Sequence, residues 1–220
     1  MNGVKLNNFR YADDTIIFAD TMEGLQKLMT KISETSNRYG LDINTNKTKF
    51  IIISKKNIQG LNLFINGASI ERVSQYPYLG TIINEAWDNS QEIKCRIGKA
   101  RSVFNSMGSI FKNHDLTMDT KMRLLRCYVF SVLFYGAETW TLTKATSAKL
   151  EAFELWLYRR ILRIPWTQKV TNVEVLRRVN KRTELINTVM CRKLQYFGHI
   201  MRNQKRYELL QLILQGKIEG

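Results

Sequence analysis

Proline is nearly missing from these 220 residues, with Pro77 and Pro165 as its two instances, and no tract is repeated or low in complexity. Extended disorder, collagen-like repeats and proline-rich linkers are thereby excluded. Cysteine is scarce too. Cys95, Cys127 and Cys191 are odd in number and show no CxxC spacing, so neither a disulfide framework nor a four-cysteine zinc site is supported, and a reducing compartment is expected. Cys191 and His199 sit eight residues apart without two further ligands nearby, which gives zinc no site. Long apolar runs are lacking as well: residues 128 to 137 form the longest mostly apolar stretch, about half of what a membrane span needs. The opening MNGVKLNNFRYADD carries no secretory apolar region. The expectation is a protein inside the cell, nuclear or cytoplasmic, with no membrane partner.

Acidic residues are the last shortage. There are 19 Asp and Glu against 34 Lys and Arg, which leaves a net charge of +15 and points to a polyanionic partner. Up to Gln75 the chain has 10 basic and 7 acidic residues, and after it 24 and 12, so the excess lies mostly in the second part. Apolar residues, at 44 per cent, are present in ordinary amount. They suffice for one sizeable core or for two small domains of roughly 80 to 140 residues.

The first part reads as short strands around one helix. Asn8 to Tyr11 and Thr15 to Ala19 are β-prone runs flanking Ala12-Asp13-Asp14, a tight turn that would place two carboxylates at a hairpin tip. Asp20 with Glu23 reads as a capping pair, and Leu25, Leu28, Met29, Ile32 and Tyr39 follow at helical spacing up to Gly40. Strands are expected at Leu41 to Asn44 and Lys49 to Ser54, then a pair around Asn66-Gly67, then one from Tyr78 to Ile83. Beyond about Glu85 the apolar period changes from two to 3.6. Ile93 to Phe111 and Leu124 to Leu133 each line a helix, Leu150 to Ile164 a third that must stop at Pro165, Thr171 with Glu174 opens a fourth, Leu185 to Met201 a fifth, and Tyr207 to Leu214 a sixth. The fold class is α+β: a small antiparallel sheet with one or two helices over residues 1–84, then an all-helical bundle over 85–220.

Paired carboxylates on a rigid hairpin suit Mg²⁺, which is held by one or two carboxylates plus substrate phosphates. In two-metal phosphoryl transfer one ion activates the attacking oxygen and the other steadies the leaving group. The plain alternative is a solvated Asp-Asp turn. Tyr11-Ala12-Asp13-Asp14, within FRYADDTIIFA, resembles the Tyr-Ala-Asp-Asp box of reverse transcriptases, especially those of LINE-type non-LTR retrotransposons. Gly40 to Lys49, GLDINTNKTK, resembles the family's next palm motif, and Tyr78-Leu79-Gly80-Thr81-Ile82-Ile83 the primer grip that follows. The helical remainder, with YGAETW, RRIL and GHIMR, is similar to the thumb and downstream region of such elements.

The resemblance implies that Asp13 is the principal metal ligand, Asp14 its auxiliary carboxylate, and Tyr11 a contact to primer or template. It implies that Lys47, or alternatively Lys49, is the palm lysine beside the incoming triphosphate, where a cation stabilises or protonates the departing pyrophosphate. Tyr78, Leu79 and Gly80 would hold the primer, unless they are simply core and turn residues. The family's centre also needs an aspartate on an upstream palm strand and the nucleotide-binding fingers. Ten residues precede Tyr11 here and none is a carboxylate. The chain therefore resembles the C-terminal part of an RNA-directed DNA polymerase, with Mg²⁺ weakly held or absent and dNTP bound only when the upstream parts are present.

From Arg159 to Arg206 there are 13 Lys or Arg against Glu174 and Glu184. In the family a helical thumb grips the template–primer duplex, so Arg159, Arg160, Arg163, Arg177, Arg178, Lys181, Arg182, Arg192 and Lys193 are the candidate contacts to RNA, RNA–DNA hybrid or DNA. Trp140, Trp156 and Trp166 either stack on bases or fill the core. Two functions compete: a fragment of a retrotransposon polymerase whose nucleotidyl transfer belongs to the full-length parent, and a non-catalytic basic helical remnant that binds nucleic acid or protein.

Overall fold

The computed structural model describes residues 7–54, 58, 60–180 and 182–215. The chain forms two units that divide between Asp88 and Asn89.

The first unit begins with a hairpin. Strands β1 (Asn8–Tyr11) and β2 (Asp14–Ile17) run antiparallel with Tyr11 opposite Asp14. Helix α1 (Met22–Arg38) follows, and its cap is Thr21 rather than Asp20: the extended backbone at Thr21 lets its hydroxyl accept from the Gly24 N–H at 3.1 Å. The helix stops at Gly40, whose φ of +70° allows the Leu41 N–H to reach back to the Ser36 carbonyl. That closure explains why Leu41 to Asn44 forms no strand. Leu41 is bonded to the helix end, and the Asn44 carbonyl accepts from the N–H groups of Lys47 and Thr48 in a turn.

Strands β3 (Lys49–Phe50), β4 (Leu63–Ile65) and β5 (Ala68–Arg72) form a sheet in the order β3-β5-β4. The β4–β5 hairpin turns through Asn66 and Gly67, both at positive φ, as a type I′ turn demands. The two-residue strand β3 pairs parallel to β5, a departure from the antiparallel expectation, and does not continue to Ser54 because β5 ends opposite Phe50. Gln26 of α1 clamps β4: its amide donates to the Phe64 carbonyl at 2.7 Å and accepts from the Phe64 N–H at 2.9 Å. Met29, Phe50, Leu63, Ile65 and Ile70 form the buried core.

Strands β6 (Gln75–Tyr78) and β7 (Thr81–Asn84) form a second hairpin. Tyr78 to Ile83 is thus not one strand, as its alternation suggested. Leu79 and Gly80 have φ of +47° and +81°, so the chain reverses there through another type I′ turn.

The second unit is helical. Helices α2 (Ser90–Ser106) and α3 (Gly108–Lys112) replace the single helix expected from Ile93 to Phe111, because the chain bends at Met107 so that Phe104 and Phe111 stack with centroids 4.6 Å apart. Helix α4 (Met118–Leu124) runs through a π-helical turn, Leu125–Phe130, into α5 (Ser131–Leu133). Helix α6 (Lys144–Ile161) starts on a Thr143–Thr146 capping box and ends four residues before Pro165. Arg163 takes the left-handed position at φ +55° and the Ile164 N–H returns to the Arg159 carbonyl. Helices α7 (Asn172–Val179), α8 (Leu185–Arg202) and α9 (Gln204–Leu214), kinked at Tyr207, complete the unit.

Its core joins α2 to α8. A carboxylate is built into it. Glu154 of α6 accepts from the Tyr158 hydroxyl at 2.8 Å and from the backbone N–H groups of Glu184 and Leu185 at 2.7 and 3.3 Å. It thereby supplies the cap that α8 lacks from its own N-cap side chain. Burial pushes the Glu154 carboxyl up from its ordinary value despite these bonds. Among the described residues, no helix is long and apolar enough to cross a membrane.

Candidate functional site

Two turn residues present the acidic tip. The β1–β2 reversal passes through Ala12, left-handed at φ +48°, and Asp13, while Asp14 is already the first residue of β2. The tip is therefore two residues long rather than three. A two-residue reversal matches the twist of the strands, and it sets the carboxylates in adjacent but different roles, one on the turn and one on a strand across from Tyr11. Tyr11, Asp13 and Asp14 are exposed. Behind them Phe9 and Phe18 meet edge to face at 5.4 Å, and the Phe18 N–H closes the base of the hairpin on the Asn7 carbonyl.

Asp13 and Asp14 are hard oxygen donors of the kind Mg²⁺ takes, but two carboxylates are a partial set. Among the described residues no group of three or more His, Cys, Asp or Glu is placed to hold a metal. The pair fits the share that one hairpin gives to a larger centre, and by itself it does not make a two-metal site.

The two lysine candidates separate. Lys49 is held in an ion pair with Glu71, its neighbour across β3 and β5, at 2.6 Å. Lys47 sits exposed in the preceding turn, and the Tyr76 hydroxyl donates to its carbonyl at 3.3 Å. That bond brings the Lys47 turn beside the hairpin of Tyr78, Leu79 and Gly80. Tyr78 is half-buried, and Leu79 is 40 per cent exposed at the turn, which removes it from the core.

The basic residues of the helical unit fall into two groups. Arg159 donates to the Val170 carbonyl and to Asn172 Oδ1 at 3.1 and 2.7 Å. Arg163 donates to the Lys112 carbonyl and to His114 Nε2. Arg177 and Arg178 share Glu174, whose carboxyl their guanidinium groups hold down at about 2. Arg192 reaches the Phe134 carbonyl and Glu138, and Lys193 donates to the carbonyls of Glu138 and Trp140 at 3.2 and 2.6 Å. These six already have partners within the chain. Arg160 and Arg182 are exposed, and Lys181 lies outside the described residues.

Among the tryptophans, Trp140 is fully buried and belongs to the core, and the side chain of Trp166 lies outside the described residues. Trp156 is half-buried, with the guanidinium carbons of Arg101 and Arg160 over its ring at 4.8 and 5.4 Å from the centroid. Arg101 was missed in the sequence because it lies on α2, 55 positions before the tryptophan, and nothing local marks it.

The profile of the family described as reverse transcriptase (RNA-dependent DNA polymerase) matches residues 2–83. A transposon-derived protein of Caenorhabditis elegans is 30% identical over 213 residues, covering 93% of this chain and 75% of that protein. The RNA-directed DNA polymerase from mobile element jockey of Drosophila funebris is 21% identical over 187 residues, 81% of this chain but 20% of the polymerase. No solved structure matches the chain.

Proposed function

Since the chain belongs to the reverse transcriptase family of retrotransposons, we propose that it is the palm-and-thumb portion of a LINE-type RNA-directed DNA polymerase, spanning residues 1–84 and 85–220. In this reading Asp13 and Asp14 are the hairpin's contribution to a two-metal nucleotidyl-transfer centre in a longer parent, and the helical unit binds RNA, RNA–DNA hybrid or DNA. The observation that carries it is the Tyr11-Ala12-Asp13-Asp14 reversal: a tight hairpin that holds Asp13 on the turn and Asp14 opposite Tyr11. Tyr11 would touch primer or template, and Tyr78, Leu79 and Gly80 the primer strand. Lys47 would face the triphosphate, since Lys49 is already neutralised by Glu71. When bound, Mg²⁺ would supply charge stabilisation of the attacking and leaving oxygens. The protein's own part is to hold the two carboxylates on a short, twisted ribbon.

Because the carboxylate set is partial, the 220-residue chain is expected to incorporate no labelled dNTP on a poly(A)/oligo(dT) template with Mg²⁺ beyond an Asp13→Ala control. Incorporation above that control would sink the account of an incomplete centre. Binding is expected all the same. If about six to eight phosphates are contacted, the log–log dependence of duplex affinity on salt should have a slope of roughly −5 to −7. A second reading, a remnant of a mobile element that binds without catalysis, is favoured by the same partial carboxylate set. A primer-extension result that stays negative when upstream palm and fingers are supplied in the same chain would select it.

A further inference from the structure

Three cations of the helical unit are gathered around one tryptophan. Arg96, Arg126, Arg177, Arg178 and Arg192 each pair with a carboxylate. Arg101, Lys112 and Arg160 are exposed, and among the described residues no carboxylate pairs with them. Yet they are gathered. Lys112 and Arg160 line one groove of about 610 Å³ with Trp156, Arg159 and Arg163, and Arg101 shares the indole with Arg160. The distances put the two guanidinium carbons no more than about 10 Å apart. Like charges collected without a counter-anion repel one another, and an arriving anion relieves that repulsion.

The indole is what holds the arginines. Trp156 is itself fixed by buried rings: Phe104 meets it edge to face at 5.4 Å, and Phe153 lies within 15° of parallel at 5.9 Å. Arg101 also extends over the Phe153 ring. Stacking a guanidinium on an aromatic face restricts its rotamers while leaving its N–H fork pointing outward, which suits bidentate capture of phosphate. A ring that already carries two guanidiniums is a shelf for cations, not an open surface for a base. The groove wall is kept in place by Arg163, which ties α6 to the Lys112 carbonyl and to His114, and by Arg159, which ties it to Val170 and Asn172.

We infer that Arg101, Lys112 and Arg160, arranged around Trp156, clamp the phosphodiester backbone of a nucleic acid without reading its bases. The inference rests on the nucleic-acid-binding reading above and sharpens it to a particular face and a particular chemistry. The anion is a backbone phosphate because a repeating phosphate chain can meet several closely spaced cations at once, and because Arg and Lys stacked around one indole offer only donors, which phosphate oxygens accept on any sequence.

The test is fluorescence anisotropy of a labelled RNA–DNA duplex between 0.05 and 0.2 M salt (roughly the range over which counterion release dominates), with the full chain and its Arg101→Gln, Arg160→Gln double variant. Removing two phosphate contacts should lower the magnitude of the salt slope by roughly 1.8 and weaken binding about tenfold, equally on unrelated sequences. Trp156→Phe should keep the slope and Trp156→Leu should lower it, with circular dichroism reporting that both variants stay folded. An unchanged slope in the double variant, with wild-type binding intact, overturns the clamp and leaves the broader reading standing. Failure of the wild-type chain to bind overturns both. Loss of the arginine-dependent part on a strand with abasic sites and an intact backbone would assign the cluster to base stacking instead. Equal arginine-dependent binding to phosphatidylserine vesicles would assign it to a membrane surface.

Discussion

The two units are stabilised in different ways. Among the described residues, the first unit buries five apolar side chains in its core and the second buries 22. The first is held instead by local devices: a left-handed Gly40 that ends α1, type I′ turns at Asn66-Gly67 and Leu79-Gly80, and the two-point clamp of Gln26 on β4. The second interlocks buried residues from seven helices and places even a carboxylate, Glu154, in its interior as a cap. The paired carboxylates Asp13 and Asp14 thus sit on the thinly packed unit, and the cations proposed to meet phosphate sit on the densely packed one. A surface that only has to grip a polyanion can be rigid and complete in itself, whereas the Asp13–Asp14 hairpin is, among the described residues, a sheet of two strands with an exposed aromatic pair.

The sharpest way to break this contrast is native-state hydrogen exchange. Amides of residues 8–17 should exchange at least about a thousandfold faster than those in the second half of α6, because local opening costs little where few apolar contacts are lost. Equal protection would show that the hairpin is covered by contacts that the buried core does not reveal. The next effect is Leu157→Ala. Leu157 is fully buried among the helices, so its truncation should cost about 2 to 5 kcal/mol in denaturant unfolding of the second unit. A loss below about 1 kcal/mol would mean that the core can collapse around the gap and is less interlocked than described.

A smaller effect is expected from Gln26→Ala. It removes both bonds to Phe64, and because that edge is exposed to water the cost should be about 1 kcal/mol, read from a probe in the first unit. No change would show that the clamp is incidental. The smallest effect concerns Glu174, which the Arg177 and Arg178 guanidiniums hold down at about 2, below the ordinary 4.5. A depressed folded value means that its contribution to stability is present above about 4.5 and is lost as pH falls toward 2. Carboxyl-carbon NMR should place the Glu174 midpoint near 2, and a midpoint at the ordinary value would remove the paired-charge account. Glu174→Gln should flatten the same low-pH loss while leaving neutral-pH stability little changed, as befits an exposed pair.

Much of this was legible in the residues. Asn66-Gly67 marks its turn because both positions need positive φ and these residues tolerate it. Gly40 and Pro165 mark helix ends by the same kind of local constraint. Leu79-Gly80 was read as the inside of a strand because Leu is not a usual left-handed residue and its alternation with Tyr78 and Thr81 continued the strand pattern. The cap of α1 moved from Asp20 to Thr21 because side-chain type permits either and the backbone angle selects one. The break at Met107 was hidden because a stripe at helical spacing does not record a bend that brings two of its own members face to face.

What the amino-acid sequence determined by itself is whatever depends on neighbours along the chain: the excess of positive charge, the period change near residue 85, the helix stops, and the Tyr-Ala-Asp-Asp turn. What tertiary structure decided is which charges are available. Arg163 and Arg160 are three positions apart and carry the same side chain, yet one is fastened to Lys112 and His114 and the other lies over Trp156. Lys49 is neutralised by Glu71 from another strand, while Lys47, two residues earlier, is not. Lys193 is taken up by carbonyls more than 50 residues away. A cation's function depends on its nearest anion or acceptor, and long-range packing, which chooses that partner, leaves no mark on the local pattern.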